Sequence, residues 1–142
     1  MINGQWSIVN GKSMTRRITI TAGKARFQAQ LNDTATASAI LEALPIEARA
    51  SRWGGEIYFS IPVEAGLETG AREVVQAGEI GFWPPGQAFC LFFGRTPASE
   101  GDEIRAASAV NIIGRIEGKL DDLWNVPDGA RVSLRASSES LQ

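Results

Sequence analysis

Residues 78–94 read GEIGFWPPGQAFCLFFG, a proline corner that runs directly into an apolar, aromatic segment. Pro84 and Pro85 each fix φ and lack an amide donor, so neither a helix nor a central strand can run through them. Gly86 offers the backbone freedom that a tight reversal requires. Residues 88–93 carry no charge and consist mainly of Phe, Leu and Cys, which predicts a core strand. A rigid corner that feeds a core strand suits a small β-barrel.

Patterns on both sides of the corner predict further strands. The predicted strands cover residues 17–22, 25–31, 46–53, 56–62, 80–82, 88–93, 110–116 and 131–135, and two weaker candidates cover 72–76 and 104–107. Apolar residues at helical spacing predict a helix from Thr34 to Leu44, capped by Asn32 or Asp33 and ended by Pro45. A second short helix is predicted at 119–124. The order of these elements predicts a mainly β fold, a closed barrel of about eight strands with two short helices.

Length and composition restrict the class of protein. The 142 residues are 44% hydrophobic and 21% charged, as expected for one globular domain at 15–136, between an N-terminal extension at 1–14 and a polar tail at 137–142. A net charge of −2 without a basic cluster argues against nucleic acid or a membrane surface as partner. Cys90 is the single cysteine, which excludes an internal disulfide. Together with the absence of a signal peptide or an apolar span, it predicts a cytoplasmic protein.

Two strings carry a resemblance to a known family. The strings are GEIYF at 55–59 and IGFWPPGQAFCLFFG at 80–94, and the second is the more specific. They resemble the signature of an uncharacterised prokaryotic family of cyclophilin-like proteins, and the likeness extends over residues 18–134. It implies a cyclophilin-like barrel, but no settled activity comes with it.

The same resemblance allows a comparison with prolyl isomerases, the enzymes that share the cyclophilin fold. Five positions that match their functional arginine, glutamine, phenylalanine, histidine and tryptophan hold other residues here, respectively Phe59, Ala88, Cys90, Val110 and Arg105. The resemblance therefore implies the fold without the isomerase chemistry.

Candidate chemistry is limited because the chain has no histidine, which excludes a Ser-His-Asp or Cys-His arrangement. Neither a metal site nor a cofactor site is predicted. Glu56, Tyr58 and Ser60 share one strand face, which is either a solvated outer face or the wall of a groove. Cys90 lies in the most apolar segment, as an inert buried thiol does, but it is also a weak nucleophile if it faces the groove.

The corner gives two further candidates. Trp83 is either a packed corner residue or an aromatic ledge for a ligand, and Gln87 is placed to bond a ligand amide. Arg105 is a candidate anion anchor. The predicted ligand-binding residues are thus Glu56, Tyr58, Trp83, Gln87, Cys90 and Arg105.

These residues predict a module that binds a small molecule or an extended peptide in an outer-face groove, without prolyl isomerase activity. Two alternatives stay open: a weak peptidyl-prolyl isomerase, and an enzyme that uses Glu56 or Cys90 on a small metabolite. The pattern leans against an enzyme, and it leaves the oligomeric state undetermined.

Overall fold

A computed structural model describes residues 6–9 and 12–137 of the chain, with side chains from residue 16 onward. The predicted extension at 1–14 and tail at 137–142 therefore lie partly outside the described residues. The strands are β1 (Trp6–Val9), β2 (Lys12–Thr15), β3 (Arg17–Ala22), β4 (Ala25–Leu31), β5 (Ile46–Arg49), β6 (Ser51–Arg52), β7 (Glu56–Ser60), β8 (Arg72–Val75), β9 (Glu79–Trp83), β10 (Ala88–Phe92), β11 (Ile104–Glu117) and β12 (Arg131–Ala136). They confirm the mainly β prediction.

Helical structure in the described part of the chain is sparse. It comprises one α-helix, α1 (Ala35–Ala43), and two 3-10 helices, Pro84–Gly86 and Asp121–Asn125. The helix predicted from Thr34 to Leu44 is confirmed, but its N-cap is Thr34, whose hydroxyl accepts from the amide of Ala37 at 3.2 Å. Asn32 instead accepts from Thr34. The second predicted helix is present as the 3-10 helix Asp121–Asn125.

The sheet is antiparallel and nearly continuous. Its strand order is β5-β12-β3-β4-β11-β9-β10-β7-β6, β8 pairs with β11 off this path, and β1 and β2 form a separate two-stranded sheet. The predicted hairpins are confirmed as the pairs β3–β4 and β6–β7. The two weaker strand candidates are also present, because β8 covers 72–75 and the segments 104–107 and 110–116 join into the single long strand β11.

The sheet is not closed by hydrogen bonds, in contrast to the closed barrel that the sequence predicts. Its two terminal strands in the ladder, β5 and β6, are consecutive segments of the chain separated only by Ala50. The backbone of Ala50 is held by Ala130 and Gly129, at 2.8 and 2.7 Å. The chain itself therefore links the two ends of the sheet where a closed barrel has a strand ladder.

The central strands bury side chains on both faces. Ile57, Phe59, Phe89 and Leu91 point into the main core, which also contains Ile40 of α1. Alternate residues of the same strands belong to a second apolar cluster that β8 and the first half of β11 cover; its buried members are Val75, Ala88, Cys90, Phe92, Ile104, Ala106 and Val110. Strand β10 is consequently buried at every position. The outer face of β7 and β10 is thus a second packed layer.

The proline corner has a different geometry from the predicted one. Pro84–Gly86 forms a 3-10 turn, and the residue in the left-handed region is Gln87, with φ 49°. Gly86 is not needed for positive φ. A Cβ at Gly86 would lie 3.0 Å from the ring of Trp83, so its lack of a side chain makes room for the indole.

A buried polar network ties the loop after β7 to α1. The amide of Asn111, which is 1% exposed, accepts from the Glu68 N–H at 2.8 Å and donates to Gly66 O at 2.9 Å and Thr36 Oγ1 at 3.2 Å. The Glu68 carboxylate in turn accepts from the N–H and hydroxyl of Thr36, at 3.0 and 2.6 Å. A negative charge at the first turn of α1 also complements the helix dipole. Asn111 therefore fixes the loop after β7 against α1.

Replacing Asn111 with alanine is expected to lower the free energy of unfolding by about 2 kcal/mol, because buried partners lose their hydrogen bonds. Urea unfolding measures this change. The control is Asn125→Ala, the same substitution at an exposed position, for which a change within about 0.5 kcal/mol is expected. Equal effects of the two substitutions would show that the network does not stabilise the fold.

Candidate functional site

Strand pairing brings several of the predicted residues to one place in the second cluster. Tyr58 of β7 lies opposite Cys90 of β10, and Ala88 of β10 lies opposite Trp83 of β9. Alternate residues of a strand point to the same face, so Glu56 joins Tyr58 on the covered outer face. The local sequence thus places a carboxyl, a phenol, a thiol and an indole side by side.

These side chains line a cavity of about 220 Å³ between the sheet and the first half of β11. Its nine lining residues are Trp53, Glu56, Tyr58, Trp83, Ala88, Cys90, Ala106, Ala107 and Val110. Most of the lining is apolar, and a few polar groups converge on it, which is the usual character of a small-molecule site.

Glu56 is the buried carboxyl among the lining residues. The residue is 5% exposed, and its Oε1 has no hydrogen-bond partner among the described residues. Burial raises the pKa of the carboxyl from 4.5 to about 7, and a hydrogen bond with the Cys90 thiol opposes that shift to a smaller extent. Of the two readings of this strand face, a solvated surface is therefore wrong for Glu56.

The thiol of Cys90 is buried, as one of its two predicted readings requires. Burial raises its pKa well above the ordinary value, and the charge of Glu56 and a hydrogen bond with it act in the same direction. The carbonyl of Ala88, 3.7 Å from Sγ, is the alternative acceptor for the single thiol proton. A thiol that stays protonated is a poor nucleophile, so Cys90 contributes packing and a weak hydrogen bond.

Three aromatic side chains complete the walls. The indole N–H of Trp83 donates to the hydroxyl of Ser108 at 2.7 Å, which fixes the ring. Tyr58 and Trp53 are half-buried beside it. The Tyr58 hydroxyl has no hydrogen-bond partner within the part of the chain that is described, and it is available to a ligand.

Two of the predicted residues lie elsewhere. Gln87 borders a separate shallow depression with Pro84 and residues 64–66. Arg105 forms ion pairs with Glu103 at 3.0 Å and Glu73 at 3.1 Å, with Glu100 at 4.0 Å. Its charge is already balanced by these carboxylates, so the structure offers no support for an anion anchor there.

Sequence reasoning missed five lining residues, namely Trp53, Ala88, Ala106, Ala107 and Val110. The run Ala106-Ala-Ser-Ala109 was an available signal, because small residues within a strand leave space above the sheet. A second available signal was Trp53, an aromatic residue that directly precedes the Gly54-Gly55 turn.

Neither a metal-binding cluster nor a membrane-spanning helix is found among the described residues. The described residues contain no group of three or more Cys, Asp or Glu side chains placed to hold a metal ion. No helix among them is long and apolar enough to cross a membrane.

Comparisons with known proteins agree with this architecture. A family model described as cyclophilin-like matches residues 16–135. The structure is similar to the solution structure of a hypothetical protein from Archaeoglobus fulgidus, with a TM-score of 0.74 and 38% sequence identity over 91% of this chain and 100% of that one. No curated protein matches the chain.

Proposed function

The chain belongs to the cyclophilin-like family, and we propose that it is a module that binds a small organic molecule in the cavity beside Glu56. The observation that carries the proposal is the Glu56 carboxyl, which is 5% exposed and has an unpartnered Oε1. Leaving a buried polar atom without a partner costs free energy, about 1–3 kcal/mol. A ligand that supplies the missing hydrogen bond recovers that free energy on binding.

The size of the cavity favours a small molecule over an extended peptide. An apolar cavity of about 150 Å³ accommodates benzene, so a cavity of about 220 Å³ accommodates one ring with a short polar arm. The aromatic walls formed by Trp53, Tyr58 and Trp83 suit a flat molecule.

The same geometry argues against a prolyl isomerase. Phe59, which matches the isomerase arginine, is 2% exposed and stacks on Phe89 with ring centroids 5.3 Å apart. It belongs to the main core, on the opposite face of the sheet from the cavity. The position therefore supplies no positive charge, and its side chain points away from the cavity. It lacks both properties that electrostatic stabilisation of a twisted prolyl amide needs.

A second candidate function is proton transfer by Glu56. A carboxyl whose pKa is about 7 exists in both protonation states at neutral pH, as a general acid or base requires. Exchange of a carbon-bound hydrogen of a cavity ligand for deuterium, lost in Glu56→Gln, would support this function. Binding without such exchange would leave the protein a binding module.

Blocking the cavity tests the proposal. Ala107 is exposed at the cavity mouth, so Ala107→Trp is expected to fill the entrance without disturbing the core. Fragments of one ring that shift the indole NMR signals of Trp53 and Trp83 should bind the variant at least about tenfold more weakly, a loss of about 1.4 kcal/mol.

The matched control is Ala136→Trp, an exposed alanine on β12, which should leave the fragment affinities unchanged. The proposal is wrong if a broad fragment set produces no shift at Trp53 or Trp83. It is equally wrong if Ala107→Trp binds the fragments as tightly as the wild type.

A further inference from the structure

We infer that the natural ligand of this cavity is a small amine, whose ammonium group pairs with Glu56 while its apolar or aromatic body lies against Trp53, Tyr58 and Trp83. The inference rests on the proposed function, because it specifies the chemical class of the molecule that the cavity holds. It follows from the charges around Glu56, the aromatic walls and the dimensions of the cavity.

Glu56 lacks a cationic partner among the described residues, where the ion pairs join other carboxylates. Arg52 of the neighbouring strand β6 is directed elsewhere: its guanidinium donates to the carbonyls of Trp124 and Val126, each at 2.9 Å. It also lies 5.7 Å from the ring centroids of Phe93 and Trp124. No cation among the described side chains is therefore placed to balance ionised Glu56, and a bound ammonium group would supply that charge.

The other groups that face Glu56 supply no charge. Cys90 of β10 carries a neutral thiol, and Tyr58 lies on β7, the strand that carries Glu56. Strand β11 presents only Ala106, Ala107 and Val110 to the cavity. An anionic ligand would place a second negative charge beside Glu56 without compensation, which the low local dielectric makes unfavourable.

Aromatic rings around a carboxylate form a recurrent site for ammonium groups. Ring faces attract a cation within about 6 Å of the centroid, and desolvation strengthens that attraction. Trp53, Tyr58 and Trp83 provide three rings in the same cavity as Glu56. The hydrogen bond from Trp83 to Ser108 already uses the indole N–H, so the ring face is the part left for a ligand.

Protonation of Glu56 distinguishes an amine from a neutral ligand. An ammonium group binds the ionised carboxylate, whereas a carbonyl ligand accepts from the protonated acid. With a carboxyl pKa of about 7, the ionised fraction falls about tenfold between pH 8 and pH 6, and the amine affinity falls with it. A carbonyl ligand would show the opposite trend.

Three probes of similar size test the inference on the full chain: phenethylamine, its neutral isostere 2-phenylethanol, and the anion phenylacetate. NMR titration at pH 8 should show phenethylamine binding at least about tenfold more tightly than 2-phenylethanol, a difference of about 1.4 kcal/mol. Phenylacetate should not bind. At pH 6 the preference for the amine should be about tenfold smaller than at pH 8.

Glu56→Gln should abolish the preference at pH 8 and leave the affinity for 2-phenylethanol within about twofold, a difference of about 0.4 kcal/mol. Glu42→Gln, the same change at an exposed helix position, should leave both affinities unchanged. The wild-type pH profile tests the inference without any variant, so a poorly folding variant would not prevent a decision.

The outcomes separate the inference from the proposed function. If 2-phenylethanol enters the cavity and phenethylamine gains nothing from its charge, the amine inference is overturned and the binding module stands. If none of the three probes shifts Trp53 or Trp83, the inference is also overturned. The proposed function fails when the wider fragment set also leaves the cavity empty, or when Ala107→Trp binds the fragments as tightly as the wild type.

Discussion

Replacing Gly55 with alanine is expected to lower the free energy of unfolding by about 3 kcal/mol, because the new methyl group has no space. A Cβ at this position would lie 2.3 Å from the carbonyl carbon and 2.5 Å from the Cα of Gly94. Both are backbone atoms, which cannot rotate away as a flexible side chain can. The backbone of Gly55 also bonds to Arg95 O at 2.7 Å and to the N–H of Phe93 at 2.8 Å, so a shift would weaken these bonds.

Urea unfolding of Gly55→Ala beside Gly66→Ala isolates this contact. Gly66 lies in the loop after β7, and a Cβ there would meet nothing within 4 Å. Alanine at such a position changes stability by less than about 1 kcal/mol, often favourably, through the unfolded chain. Similar unfolding free energies for the two variants would show that the contact between Gly55 and Gly94 tolerates a side chain.

The elements that were predicted well are those whose signals are local. The helix from Thr34 to Leu44 depends on spacing within a few turns and on Pro45, and the structure places it within one residue of these limits. The hairpin of β6 and β7 depends on the Gly54-Gly55 turn, and Gly54 has the positive φ of 63° that such a turn uses. No distant residue is needed for either prediction.

The features that were not predicted depend on contacts between distant parts of the chain. Alternation in residues 56–60 indicates two faces, but it does not say that β8 and the first half of β11 cover the outer one. The sequence also gave no signal that the segments 104–107 and 110–116 form one strand. For the same reason the link between the ends of the sheet at Ala50 was not foreseen.

The candidate site shows the same division. The sequence pattern indicated that Glu56 and Tyr58 share a strand face, and the pairing of β10 with β7 and β9 brings Cys90 and Trp83 beside them. Arg105 was placed in the correct strand, but its three carboxylate neighbours come from β8 and from the loop before β11. Whether a charged residue is already paired is a property of tertiary contacts, and a single sequence does not reveal it.

The buried carboxyl also has a consequence for stability. We expect the wild type to lose about 3 kcal/mol of stability relative to Glu56→Gln as the pH rises from about 4.5 to about 7. In the unfolded chain the carboxyl ionises near pH 4.5, whereas in the folded chain it keeps its proton until about pH 7. Unfolding between these values therefore releases a proton, and a higher pH favours the unfolded state.

Other carboxyls act in the opposite direction, which is why the comparison uses a variant. Backbone hydrogen bonds from Glu100 and Gly101, and one from the Arg105 side chain, lower the pKa of Glu103 to about 2. A group with a lowered folded pKa loses its stabilising effect as the pH falls. The wild-type curve alone sums these opposing effects, and subtraction of the Glu56→Gln curve leaves the part that belongs to Glu56.

Urea unfolding of wild type, Glu56→Gln and Glu42→Gln at pH 4.5, 6 and 8 measures that difference. The unfolding free energy of the wild type minus that of Glu56→Gln should fall with pH up to about pH 7 and then stay constant, because the carboxyl is ionised in both states above it. The gap to Glu42→Gln should not change. A gap between wild type and Glu56→Gln that is independent of pH would mean that the folded protein holds Glu56 ionised, with a partner that balances its charge. In that case the free protein would have no unmet demand for a cation, and the argument for an ammonium ligand would lose its electrostatic basis.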